Sequence, residues 1–208
     1  MQNSLSRQIL LSVFGLAILI IAVLGISYAI FVTTLTGTKE NEITTGTIAM
    51  SLVESNDGIV MHNSMPMSNA EGMSLLGAGK TYDFVVNSTI SGATTVNYEV
   101  VAERILDDYV GLPNDEIRLY LEKMENGQYI PTSVTASPKP FMASGEISQL
   151  GSPSDGMILY EGAFVNTDAE KKYFSDSFRF RMWVADSSII DEVSRKFKIR
   201  INVYGKVL

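Results

Sequence analysis

Between Ile9 and Val32 the chain reads ILLSVFGLAILIIAVLGISYAIFV, without a single charge. At about 1.5 Å of helical rise per residue this stretch reaches roughly 36 Å, enough to cross a hydrocarbon core of about 30 Å with some tilt. Its length and uniformity exceed those of a core helix, so residues 1–32 are expected to form a transmembrane or signal helix with the lipid bilayer as its partner. Arg7 and the N-terminal amine precede the run, and Lys39, Glu40 and Glu42 follow it. That bias puts the N-terminus inside and the rest of the chain outside. Two fates of the helix then stand open. Ser27-Tyr28-Ala29 sets small residues at the −3 and −1 positions of a signal-peptidase site, which suits cleavage after Ala29 and a secreted or cell-surface product. A run longer than the usual signal core of about 7–15 residues, with little positive charge before it, suits retention as a single-pass anchor in the cell membrane.

A chain of 208 residues has room for one sizeable domain beyond such a helix. Cysteine is absent, which removes both disulfides and thiolate metal ligands and leaves packing to supply stability. The net charge is -7 and no run of Lys or Arg stands out. Phosphate contacts need clustered cations, so no nucleic acid partner is expected.

Residues 33–42 are polar and Thr-rich and read as an extended linker. From Ile43 to Leu208, β-branched stretches alternate with Gly, Asn, Asp and Pro clusters, the pattern of an all-β antiparallel sandwich or barrel. Phe178, Phe180, Met182 and Val184 share one face of a strand whose other face carries Arg179 and Arg181. Phe197, Ile199, Ile201 and Val203 repeat the pattern, with Lys198, Arg200 and Asn202 outward. If those two strands are neighbours, their cations form one basic face, with Glu99 and Glu103 as cross-strand partners. Further strands are expected at Thr44–Val53, Thr81–Ile90, Thr94–Ile105, Ile117–Met124, Gln128–Val134 and Met157–Val165. Asn126-Gly127 reads as a hairpin turn, and 132–153, with three prolines, as a long surface loop. The one expected helix of the domain covers Ser187–Arg195, with Ser188 as its N-cap.

Chemistry-bearing patterns are sparse. His62 is the single histidine, so no Ser-His-Asp or zinc-protease arrangement assembles from the sequence, and neither an enzyme nor a cofactor is expected. Gly77-Ala78-Gly79-Lys80-Thr81 resembles the end of a phosphate-binding loop, but Ser74 replaces the first glycine and a strand pattern follows; an ordinary glycine turn fits better. Met61, His62, Met65 and Met67 form a thioether and imidazole set suited to Cu(I), against which stands plain packing of flexible methionines. Asp107-Asp108, Asn114-Asp115-Glu116 and Asn166–Asp168 lack the order of a calcium loop and read as solvated charge.

Ser27-Tyr28-Ala29-Ile30-Phe31, followed by Asn41-Glu42-Ile43-Thr44-Thr45-Gly46-Thr47-Ile48, resembles the start of TasA/camelysin-like surface and biofilm-matrix proteins of Gram-positive bacteria. The resemblance covers about the first quarter of the chain. It implies a jelly-roll-like β sandwich, export through a dedicated signal peptidase, and fibre assembly in which the segment after the signal completes a sheet of the next subunit. Phe31, Val32 and Leu35 would lie in that donated strand, which adds by β-augmentation. The protease activity described for camelysin-type members is not expected, because no ligand cluster is present.

The leading expectation is thus a non-enzymatic cell-surface structural protein that self-assembles. The alternative is a membrane-tethered binding module, an adhesin or a copper binder at Met61, His62, Met65 and Met67.

Overall fold

A computed structural model of the chain describes residues 32–36, 43–45, 48–54, 59–62, 65–77, 80–105, 111–188 and 196–207, with side chains from Met65 onward. The expected membrane helix, Val32 aside, and the body of the helix expected over Ser187–Arg195 lie outside the described residues. So do Asp107 and Asp108. Apart from Val32, the described residues belong to one compact unit, Thr33–Leu208. Among them no helix is long and apolar enough to cross a membrane.

Alternation of apolar and polar residues drives the unit into two antiparallel sheets. The first contains β1 (Val32–Thr36), β4 (Ile59–His62), β6 (Thr94–Arg104), β10 (Gly156–Asn166) and β12 (Lys196–Val207), in the order β1-β12-β6-β10 with β4 also on β12. The second runs β2-β3-β5-β11-β7-β8, with β9 also on β7. Its strands are β2 (Ile43–Thr45), β3 (Ile48–Glu54), β5 (Tyr82–Ser91), β7 (Ile117–Glu125), β8 (Gln128–Pro131), β9 (Lys139–Pro140) and β11 (Lys171–Val184). The all-β expectation holds.

The inward rows meet as the alternation requires. Phe178, Phe180, Met182 and Val184 are buried, as are Phe197, Ile199, Ile201 and Val203, and all eight belong to one apolar core. Rings interlock across the sheets. Tyr160 of β10 meets Phe178 of β11 edge-on at 5.1 Å, and Phe164 of β10 lies 5.7 Å from Phe174 of β11. Burying one such side chain contributes about 1.5–3 kcal/mol relative to leaving it in water.

Several local expectations are met. Asn126 and Gly127 take φ of 51° and 81°, and they close the β7–β8 hairpin between Glu125 and Gln128. Gly77 adopts φ +97° and its carbonyl accepts from the amides of Lys80 and Thr81, immediately before β5. Others need correction. The single strand expected over Thr44–Val53 is two antiparallel strands, β2 and β3, with Thr45 paired to Ile48.

A helix also forms where none was expected. α1 (Asn69–Ser74) starts with a capping box in which the Glu71 amide donates to Ser68 Oγ at 3.3 Å and the Ser68 amide donates to Glu71 Oε2 at 2.9 Å. Such reciprocal bonds satisfy two of the amides that a helix start leaves unpaired. α1 lies on the outward side of β11, where Gly72 packs directly on the ring of Trp183. A Cβ at Gly72 would fall inside that ring's van der Waals envelope. Gly72→Ala should therefore destabilise the fold by about 1–3 kcal/mol. Because Trp183 is the only tryptophan, the loss should appear in thermal melts together with a red shift of the native fluorescence.

Candidate functional site

The most concentrated polar chemistry lies between the sheets. Ile117, Leu119 and Leu121 form the inward row of β7, all with 0% exposure, and the same two-residue period brings Lys123 next onto that row. On β11, Phe178 is the register partner of Lys123, and Asp176, two residues earlier, shares its face as a diagonal neighbour. Lys123 Nζ stands 3.0 Å from Asp176 Oδ2, and each side chain is 18% exposed. The opposite sheet completes the cluster. Tyr98 of β6 donates its hydroxyl hydrogen to Asp176 Oδ2, and the Tyr160 hydroxyl accepts from Lys123 Nζ at 2.9 Å. Rings wall it in, with Tyr98 stacked on Phe164 at 4.8 Å and tilted against Tyr160 at 5.8 Å.

Burial sets the protonation states. It raises the Tyr98 phenol far above its ordinary range, and the bond to Asp176 adds to the rise, so Tyr98 remains a donor. For Lys123, burial acts to lower the pKa, but the contacts with Tyr160 and Asp176 outweigh it and the net movement is upward. The cluster thus holds an ammonium and a carboxylate side by side, with a fixed donor on one and an acceptor on the other. It escapes the sequence because the strand expected at Phe178–Val184 stops short of Asp176 and the period over Ile117–Met124 is not followed to Lys123. Extending the β7 and β11 periods by one step would have placed Lys123 and Asp176 inside.

The basic face does not form. Arg179 and Arg181 belong to β11, whereas Lys198 and Arg200 belong to β12 in the other sheet. Arg179 makes a two-pronged contact with Asp83, at 2.9 and 2.8 Å, and lies over the Tyr129 ring at 4.1 Å. Arg181 is only 4% exposed, donating to the Leu75 carbonyl at 2.6 Å and pairing with Glu122. The expected role of Glu103 holds on its own sheet, where Arg200 is its register partner and Tyr204 donates to its carboxylate.

Of the four residues considered for copper, only Met65 and Met67 have described side chains. Met61 and His62 lie in β4, with backbones paired to Phe197 and Lys196; their side chains are outside the described residues. Met65 is exposed, and Met67 bridges to Ala185. Of the expected donor segment, Phe31 is outside the described residues, while Val32 and Leu35 lie in β1, which pairs with β12 of the same chain. Asn166 is not solvated loop but buried. Its Nδ2 donates to the Ile90 and Glu170 carbonyls and its Oδ1 accepts from the Asp168 amide, so it organises the β10–β11 turn.

A second concave place, a cleft of about 660 Å³, lies over β6 and β10 and is lined by Asn97, Glu99, Ser148, Leu150, Ile158 and Glu161 among others. Glu99 is 3% exposed and accepts from Ser148 Oγ at 2.7 Å. The long loop between β9 and β10 therefore reaches across this face of the sheet.

No protein-family model and no curated protein matches the chain. Among solved structures, the VP2 subviral particle of infectious bursal disease virus is similar over 79% of this chain at 10% identity and a TM-score of 0.38, and the chain spans 33% of its length. TmCBM61, solved with beta-1,4-galactotriose, aligns over 76% of this chain and 87% of its own at 4% identity and a TM-score of 0.24. Likenesses of this depth carry no argument about the chain.

The polar cluster has a signed pH dependence. Tyr98 has a folded pKa above its unfolded one, so its contribution is complete below about pH 10 and is lost as pH climbs through the folded value. Denaturation across the alkaline range should show stability declining only above about pH 10. Tyr98→Phe should lower the neutral-pH plateau by about 1–3 kcal/mol and flatten the alkaline decline.

Proposed function

We propose that the chain is a non-enzymatic cell-surface structural protein of the TasA/camelysin-like kind, delivered by its N-terminal helix and assembling by exchange of its first strand. The strand order supports a jelly-roll reading. β4-β12-β6-β10 faces β5-β11-β7-β8, the arrangement of a double Greek key in which the chain crosses between sheets at most connections. β2 and β3 extend the second sheet beyond that frame.

The observation that carries the reading is the edge of β12. β6 holds one edge of β12 through Val207. On the other edge β4 covers only Lys196–Ile199, and β1 is the other strand paired with β12, so it fills the edge that β4 leaves. β1 begins at Val32, the last residue of the apolar run, and is separated from β2 by 37–42. A strand held at a sheet edge on such a tether is readily replaced by the same strand of another copy, because exchange of identical elements preserves every contact. Within this reading, cleavage after Ala29 frees the strand to be donated, and retention of the helix keeps each copy singly anchored.

A chain beginning at Ile30 should form filaments visible by negative-stain electron microscopy, and one beginning at Ile43 should stay monomeric. Identical behaviour of the two would rule out exchange of this segment. N-terminal sequencing of the mature protein then decides which fate the helix takes.

A further inference from the structure

We propose that Lys123 and Asp176 become joined by an intramolecular amide bond that the folded chain forms without an added enzyme. The two side chains belong to neighbouring strands of one sheet, face the same way, and bring Nζ to 3.0 Å from Oδ2. Groups held in near-attack geometry gain effective concentrations of about 10⁵ M and upward over the free reaction, and here Nζ has only to turn from Oδ2 to the adjoining Cγ. Their surroundings favour the product. Two mostly buried charges carry a desolvation penalty, whereas an amide is neutral and the water released passes to solvent.

The flanking hydroxyls stand where the chemistry needs them. One Nζ proton passes to Oδ2 across the ion pair, leaving a neutral amine and a carboxylic acid. Tyr160, which accepts from Nζ, holds the amine towards Cγ. The Nζ–Cγ bond forms, a second Nζ proton moves to Oδ2, and the Cγ–Oδ2 bond breaks. Tyr98, donating a hydrogen bond to that same Oδ2, steadies the oxygen as it departs while keeping its own proton. An ammonium and a carboxylate thus become an amide and one water, with no oxidant or co-reactant. The bond would tie β7 to β11 covalently in a chain that has no cysteine for the purpose.

The test is peptide mapping of the purified, folded full chain by trypsin digestion under denaturing conditions and tandem mass spectrometry. A branched peptide joining the segments that contain Lys123 and Asp176 is expected, lighter than their sum by one water, with cleavage after Lys123 lost. Lys123→Arg, whose guanidinium keeps the charge but is no nucleophile, should yield none. Tyr98→Phe should slow formation of the branched species about tenfold or more. Linear peptides ending at Lys123 and carrying unmodified Asp176, with no branched species after prolonged incubation of the wild-type protein, would overturn the proposal whether or not the variants fold. An unchanged rate in Tyr98→Phe would overturn the part given to Tyr98.

Discussion

Everything in this domain depends on two alternating strands meeting face to face. β11 and β12 each have partners on both edges, and each sends a row of four large apolar side chains inward. Because the side-chain period of a strand is two, a slip of one residue in either register would move a whole row into water. That penalty fixes the pairing of β5 and β7 on β11 and of β6 on β12. The remaining strands then add to edges already in place.

The outward faces are less uniform than a solvated surface would be. Trp183 and Arg181 point away from the core yet are 1% and 4% exposed, because α1 and the segment after it lie across them. The Leu75 carbonyl and the Glu122 carboxylate give Arg181 its partners there, as a buried guanidinium requires. On the other sheet, the loop between β9 and β10 covers Glu99 in a similar way. At the rim, Thr135 Oγ1 bonds both backbone groups of Leu121, and Thr132 Oγ1 donates to the Leu159 carbonyl of the facing sheet. These side chains continue the ladder where β8 stops at Pro131.

Much of this was readable in advance, and the failures have definite causes. The inward rows of β11 and β12 and the Asn126-Gly127 turn follow from local chemistry alone and were found. α1 was missed although Ser68 and Glu71 have the spacing of a capping box, because only six residues follow and no apolar stripe announces them. β4 escapes sequence inspection because only Met61 and His62 of its four residues draw attention, as metal-ligand candidates, and four residues are too few to show an alternation. The separation of Arg179 and Arg181 from Lys198 and Arg200 was beyond sequence inspection. Which sheet a strand joins is decided by contacts far along the chain, and both strands show the same local pattern. The Lys123 and Asp176 cluster lies in between, since the period is legible on both strands but a charged side chain at its end gives no sign by itself of being buried.

The position of β12 also governs when the domain can fold. It ends at Val207, yet lies inside its sheet, with β6 on one side and β1 and β4 on the other. Until β12 is in place the first sheet lacks its middle, because β6 and β10 are joined to β1 and β4 only through it. Until then β6 and β10 pair without a partner on their inner flank, and the apolar row they present has nothing to close it. Native contacts here join residues far apart in sequence, which makes folding slow compared with a helical chain of the same size.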